Sequence, residues 1–333
     1  MKSVLAAITT HKRKPEMVER ALKSVVAQTY TDWDLVVVDD SPADYEFRDD
    51  VRRMVEEWSR KDSRIRYVAH DKNYGAQRAR NTALKIASDE GYEFIAYLDD
   101  DDEWLPEKLD RQLQRFKECN NNTGLIYCNG FFCNEKYKTR YDPLILEGNI
   151  YSKMFLFRRS AIGTFTSPLI RTEYLQKIGG MDERLPGKQD YDTWLRLTEH
   201  YEIAYVNEIL YLKHNEMHGD QISKDPYKYI EALGQIFRKH ESYLNQHKDL
   251  CRAFLKKYMN TCMRAGEYKK CLSLWYKLVL MQPMKIFSSI WLIIDVMIVH
   301  RVIFLPLRSM LRRMNTNIFY KLRNIKRKIK GEI

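Results

Sequence analysis

The chain has 333 residues, of which 44% are hydrophobic and 30% charged, with a formal net charge of +11; such a length suits a main domain with an appendage, and such a composition a sizeable buried core. Its six cysteines (Cys119, Cys128, Cys133, Cys251, Cys262, Cys271) show no CxxC or His-paired spacing. That argues against a zinc site or a disulfide framework and for reduced thiols in a cytosolic compartment.

The first apolar run, 4–8, is too short for a signal-peptide core, and His11-Lys12-Arg13-Lys14 follows it at once, so it is taken as the first strand. Further strand-like runs lie at 35–38, 65–68 and 94–98, separated by helical patterns at 15–27, 47–58 and 75–87. Pro15 suits a first helical turn, and Ala21, Leu22, Val25 and Val26 supply the buried stripe. A βαβαβαβ series predicts an α/β protein with a doubly wound parallel sheet.

Asp99-Asp100-Asp101-Asp102 directly follow the fourth run. The C-terminal ends of strands are where open α/β sheets place ligands. Four crowded carboxylates repel one another and their pKa values rise unless a cation compensates. A divalent metal, Mg2+ or Mn2+, shared with a substrate's phosphates would resolve the crowding; a solvated acidic loop capping the helix that begins near Pro106 is the plainer reading. Beyond it, 106–116 looks helical, 124–132 and 164–170 extended, 137–159 a loop or lid, 190–200 a short helix and 203–212 an apolar strand.

From about Pro226 the character is helical, and 263–283 resembles the second helix of a tetratricopeptide-type unit. One unit is too little for a repeat array, so a helical hairpin region at 226–283, packed on the main domain, is expected. Segment 286–307 is apolar but carries Ser288, Ser289, Asp295, His300 and Arg301, a composition better suited to an interfacial helix than to a clean span. From Arg301 onward ten Lys/Arg stand against one acid, Glu332, which gives the tail +9 of the net +11. There Leu311, Met314, Ile318, Leu322, Ile325 and Ile329 recur at helical steps, so 284–333 is read as a tail for an anionic membrane surface. A nucleic-acid partner is disfavoured, because stacking platforms need spread aromatics and only Phe319 and Tyr320 follow Arg308.

Other polar groups end the predicted strands: Thr9-Thr10-His11, Asp39-Asp40-Ser41, and, after the third, Asn73-Tyr74-Gly75 with Arg78 and Arg80 opening a helix. In a doubly wound sheet these loops converge on one rim. Jointly they suggest a nucleoside-diphosphate site with a metal, in which arginine forks match phosphate oxygens.

Four ordered motifs, AITTHKRKPEMVERALKSVVAQTYTDWDLVVVDDS, NYGAQRARNTAL, FIAYLDDDDEWLPEKL and GKQDYDTWLRL, resemble glycosyltransferase family 2 over about residues 1–215. The resemblance implies a GT-A fold (Rossmann-like, mostly parallel) over 1–225, with a nucleotide-binding half at 1–102 and an acceptor half at 103–225. It further implies an inverting, metal-dependent transferase of the hexosyltransferase type. Carried over by motif, Asp40 receives the pyrimidine N–H with Asp39 in support, and Arg80 lies near the phosphates. Asp101 becomes the metal ligand and Asp99 the ribose or sugar contact, with Asp100 beside it. Asp190 becomes the catalytic base; its place at the start of a helical pattern also suits an N-cap. Thr9, His11, Asn73 and Gly75 complete the donor rim, and His214 is a further metal or phosphate candidate. The first signature departs from the usual Tyr-Asn-Arg in reading Thr10-His11-Lys12, and Gln189 replaces the usual Glu before Asp190.

The expected reaction moves a sugar from a nucleotide-diphosphate donor, UDP-linked, to a saccharide or lipid-linked saccharide acceptor at the cytoplasmic face of a membrane, in bacterial surface-polysaccharide synthesis. The rivals are a metal-dependent nucleotidyltransferase, which lacks its phosphate loop here, and an inactive membrane-bound scaffold of the same fold.

Overall fold

The apolar runs become sheet strands. A computed structural model describes residues 2–133, 138–141, 145–156, 162–214 and 225–281. In chain order it contains β1 (Lys2–Thr10), α1 (Pro15–Val26), β2 (Trp33–Asp39), α2 (Arg48–Lys61), β3 (Ile65–Ala69), α3 (Ala76–Asp89), β4 (Tyr92–Asp99) and β5 (Asp102–Trp104). There follow α4 (Lys108–Glu118), β6 (Thr123–Cys133), β7 (Lys138–Tyr141), α5 (Tyr151–Met154), β8 (Leu169–Arg171), α6 (Thr172–Lys177), α7 (Gln189–His200) and β9 (Glu202–His214). The last described helices are α8 (Pro226–Lys239), α9 (Glu241–Gln246), α10 (Lys248–Ala265) and α11 (Tyr268–Met281). The predicted apolar segment 286–307 and the basic tail lie outside the described residues.

Val4–Ile8 and Leu35–Val38 are fully buried, as expected of continuous apolar runs in strands covered on both faces. The sheet order is β3-β2-β1-β4-β8-β6-β9-β5, with β7 paired to β6. It is parallel across β3-β2-β1-β4. Beyond β4 it is mixed: β8 runs antiparallel to both β4 and β6, β9 is parallel to β6, and β5 antiparallel to β9. The chain reverses its direction of travel across the sheet at β1, whose neighbours are β2 and β4. This switch point opens a crevice at the strands' C-terminal ends, where Thr10 pairs with Asp39 and Thr9 with Asp99. The core gathers the inner faces of these strands against Val18, Leu22 and Val25 of α1, Val51 and Val55 of α2, and Leu109 and Phe116 of α4.

Three expectations are revised. Residues 164–167 form a turn, closed by Ser167 N–H to Thr164 O at 3.2 Å, and only Leu169–Arg171 is strand. Within 137–159, read as loop or lid, lie β7 and α5. The predicted helix 263–283 is broken by Gly266, which ends α10 in the left-handed conformation at φ 80°, as a C-terminal glycine does.

Met1–Glu267 forms one compact unit, and the chain from Tyr268 belongs to a second. In the first, Asp225 caps α8 by accepting from Tyr227 and Lys228 N–H, with Pro226 at the first turn. Lys239 at the end of α8 then bridges Asp192 (2.6 Å) and Asp182 (2.8 Å), tying α8 to the start of α7. No described helix is long and apolar enough to cross a membrane.

Candidate active site

One buried residue, Asp40, stitches the loop after β2 to the loop before α3 through its carboxylate and to the end of β1 through its backbone, whose N–H donates to Thr10 O at 2.9 Å. Asp40 accepts from Tyr74 N–H (2.9 Å) and Gly75 N–H (2.7 Å), and its Oδ1 lies 2.7 Å from Nδ1 of His70. Gly75 permits this by its φ of 95°, a region open to glycine without steric cost; its N–H also reaches Asn73 Oδ1 at 2.9 Å. Asp39 is fully buried and accepts from Ser41 N–H and Tyr67 O–H, both at 2.8 Å. His11 places Nδ1 3.0 Å from the Asp40 carbonyl. Thr9, His11, Asp39, Asp40, Asn73 and Gly75 are therefore brought to one rim.

The aspartate run divides by exposure. The Asp99 and Asp101 side chains are 21% and 25% exposed, against 8% for Asp100 and none for Asp102. Across the two-residue turn that joins β4 to β5, the odd pair faces the rim and the even pair is turned inward. Asp102 accepts from Thr166 O–H at 2.7 Å and pairs with Lys213 at 3.5 Å. Arg13 bridges Asp100 (3.0 Å) and Asp101 (3.5 Å), while Arg20 donates to the Asp101 carbonyl at 2.9 Å. Arg80, almost fully buried, donates to Asp99 at 2.8 Å and stacks its guanidinium 4.3 Å over the Phe165 ring.

The mutual repulsion expected of four carboxylates is thus met in part by Arg13, Arg80 and Lys213. Burial still dominates: it pushes Asp100 up to about 6, and it raises Asp101 with help from the Asp99 charge. Burial likewise raises Asp102 against the pull of Lys213. Burial also presses on Asp99, but Arg80 and Lys213 outweigh it and hold that carboxyl below its usual range. Of the two arginines expected at phosphate, only Arg80 points into the rim; Arg78 pairs with Glu183 at 3.2 Å on the surface.

Among the described residues no three Asp, Glu, His or Cys side chains converge on one point. His214 places Nε2 2.6 Å from Glu103, which leaves Nδ1 for any ion. The two outward carboxylates nonetheless fit Mg2+ or Mn2+, hard cations that are held through one or two carboxylates with the remainder from water and substrate phosphate.

Asp190 lies at the second position of α7, not at its cap. The cap is Lys188, in the left-handed conformation at φ 58°, and Asp190 accepts from the adjacent Tyr191 N–H at 2.7 Å. The helix begins one residue earlier than its apolar pattern, so the capping role predicted from sequence is not the one observed. Burial raises the Asp190 pKa; Lys188 and Arg80 oppose that and Asp99 reinforces it, which sets Asp190 in the field of the Arg80–Asp99 pair. Sequence reasoning missed Arg13, Lys213 and Thr166. The first lies in the basic run after β1 and the second beside His214, but their partners are set by tertiary structure.

Residues 6–179 match glycosyl transferase family 2. The chain is 30% identical over 235 residues to WcaA of Escherichia coli (strain K12), a protein named as a colanic acid biosynthesis glycosyl transferase, covering 68% of this chain and 78% of that one. It is also 30% identical over 199 residues to Escherichia coli WfgD, named as a UDP-Glc:alpha-D-GlcNAc-diphosphoundecaprenol beta-1,3-glucosyltransferase, covering 57% and 68% respectively. In structure it resembles S. aureus TarS in complex with UDP-GlcNAc, with a TM-score of 0.64 at 16% identity over 86% of this chain and 83% of that one.

Proposed function

The chain belongs to glycosyl transferase family 2, and on that premise we propose that it transfers a sugar, with inversion, from a UDP-linked donor to a hydroxyl of a lipid-linked saccharide in bacterial surface-polysaccharide synthesis. The observation that carries this reading is the outward turn of Asp99 and Asp101 at the switch point, with Asp190 in the field of the same Arg80 that holds Asp99. The names of the relatives, a colanic acid enzyme and a UDP-glucose enzyme acting on a lipid diphosphate, support the donor and acceptor classes.

A carboxylate offers about four acceptor sites. Three of those on Asp40 are engaged by Tyr74, Gly75 and His70, and the fourth, on Oδ2, suits a base N–H. Asp99 takes a ribose or sugar hydroxyl. Arg80 has its Nε buried without a hydrogen-bond partner, a donor that a phosphate oxygen would satisfy. Asp101, with Asp99 near, would hold Mg2+ or Mn2+, which supplies positive charge to the leaving diphosphate. Asp190 takes the proton of the acceptor hydroxyl as that oxygen attacks; burial raises its pKa, the direction that makes a carboxylate a stronger base. Arg80 remains on the leaving-group side and steadies the charge that develops there.

The apolar composition of 286–307 and the basic composition of the residues after it support a peripheral or monotopic location at the cytoplasmic face of the membrane. Thermal-shift measurements with a panel of nucleotide sugars, with and without Mn2+, test the donor assignment, followed by an assay for released nucleotide. Stabilisation by a UDP-sugar that needs Mn2+ is the expected result; no response to any nucleotide sugar would overturn it.

A further inference from the structure

Two lysines flank Asp190 from elements outside the family match, which ends at residue 179. Lys188 immediately precedes α7, and its ammonium lies 4.3 Å over the ring of Tyr229 on α8. Lys188 is left-handed at φ 58°, and the preceding Gly187 packs closely on the same ring: an added Cβ would stand 3.2 Å from Tyr229. Lys257, from α10, holds its ammonium 4.0 Å over the ring of Tyr191, the residue after Asp190. Both lysines and Asp190 are only partly buried. An ammonium seated on an aromatic face keeps its charge.

We propose that Lys188 and Lys257 form an anion subsite beside Asp190 that takes a phosphate group of the acceptor. This rests on the reading of Asp190 as the base of an inverting transfer. In such a displacement the base and the leaving diphosphate lie on opposite faces of the sugar, so cations grouped at the base serve the incoming molecule. Arg80, paired with Asp99, remains for the donor. Lysine is a compact point charge with three donors, a match for phosphate rather than for bidentate carboxylate recognition. Burial lowers the Lys257 pKa to about 8, and the Lys188 charge adds to that while Asp190 opposes it. With Lys188 two residues before Asp190 and Lys257 over the ring of the residue after it, both cations border the same carboxylate, and a dianion taken up there offsets their like charge. Helices α8 and α10 thereby gain a role in acceptor recognition, beyond packing on the sheet domain.

The test titrates octyl phosphate and octanoate by calorimetry into the full-length chain, with and without UDP and Mn2+. Octyl phosphate should bind alongside UDP, and Lys188→Gln or Lys257→Gln should weaken it roughly 10-fold or more, the scale of a lost charge-assisted hydrogen bond. Lys257→Arg should retain most of the binding, and UDP affinity should be unchanged in all three variants. Lys188→Gln, at a partly exposed cap, keeps the test valid should Lys257→Gln fail to fold. Three outcomes overturn the proposal: octyl phosphate binding that is absent or indifferent to both lysines, its displacement by UDP, or octanoate binding equally well. Failure of UDP to bind while octyl phosphate still depends on the lysines would sink the donor reading and spare the subsite.

Discussion

Arg80 and Asp99 meet at 2.8 Å and join the second turn of α3 to the last residue of β4 at the mouth of the crevice. The pair fixes the geometry between the nucleotide half of the sheet and the aspartate run. Phe165 closes the other side of the guanidinium, 4.3 Å away.

Removing the cation leaves Asp99 with Lys213 and Arg13 only as more distant compensation. Arg80→Ala should therefore destabilise the fold by about 3 kcal/mol, the lower end for breaking a largely buried pair, and raise the donor KM. Arg80→Lys should recover much of the stability but little of the KM, because an ammonium cannot reproduce the planar fork. Urea denaturation and initial-rate kinetics separate the two effects; an unchanged midpoint and KM in Arg80→Ala would make the pair incidental.

Asp101 and Asp100 should part company on substitution. Asp101→Asn is expected to abolish metal-dependent turnover with the fold intact, since that carboxylate faces the rim. Asp100→Asn mainly loses its bond to Arg13, 3.0 Å long, and should retain activity. Undiminished turnover of the wild type in EDTA would remove the metal from the account altogether.

For Asp190→Asn the expected loss is in transfer, by at least ~100-fold, with donor affinity near that of the wild type, because general-base catalysis contributes on that scale. Calorimetric titration of the donor checks this beside the rate. A parallel collapse of donor affinity and rate would move Asp190 out of proton abstraction and into donor binding.

The full-length chain should co-sediment with liposomes containing anionic lipid and weaken with added salt, since each Lys/Arg near such a surface contributes about 1 kcal/mol and is screened over a Debye length. Residual binding at high salt is expected from the apolar 286–307. Complete release by moderate salt would mean a purely electrostatic contact.

The parallel half of the sheet was legible because its strands are continuous apolar runs and its helices carry clear stripes; β1 to β4 and α1 to α3 fall within a few residues of their sequence assignments. The mixed half was less so. β5 and β8 are three residues each, too short to display any period, and they are held by neighbours distant in sequence. The aspartates announced themselves, but their cations did not: Asp102 and Lys213 pair across 111 positions, a contact that exists only once β5 lies antiparallel to β9. The turn that brings Thr166 to Asp102 looked extended in sequence because its flanks are apolar. Nothing in residues 226–265 hinted that Tyr229 and Lys257 would arrive beside Asp190.

His240, at the C-terminal end of α8, gives the last expectation. It is almost fully buried, with Nδ1 2.8 Å from the Tyr151 hydroxyl and 3.7 Å from Glu199, and Asp192, Lys239 and Arg196 act on it from α7 and α8. Burial lowers its pKa from 6.5 to about 4; Asp192 opposes the shift and Lys239 and Arg196 add to it. Between those two pH values the unfolded chain binds a proton that the folded chain refuses, so stability rises with pH across the window and is lost as pH falls through it. The loss is on the order of 3 kcal/mol when complete. His240→Gln should cost stability at pH 7.5, through the Tyr151 contact, but should show a shallower decline from there to pH 4.5 than the wild type. Melting curves at the two pH values decide it. A difference between wild type and variant that is the same at both would show that His240 does not set the acid limit of the fold, and that the seam joining α8 to α5 and α7 stays closed when its imidazole is protonated.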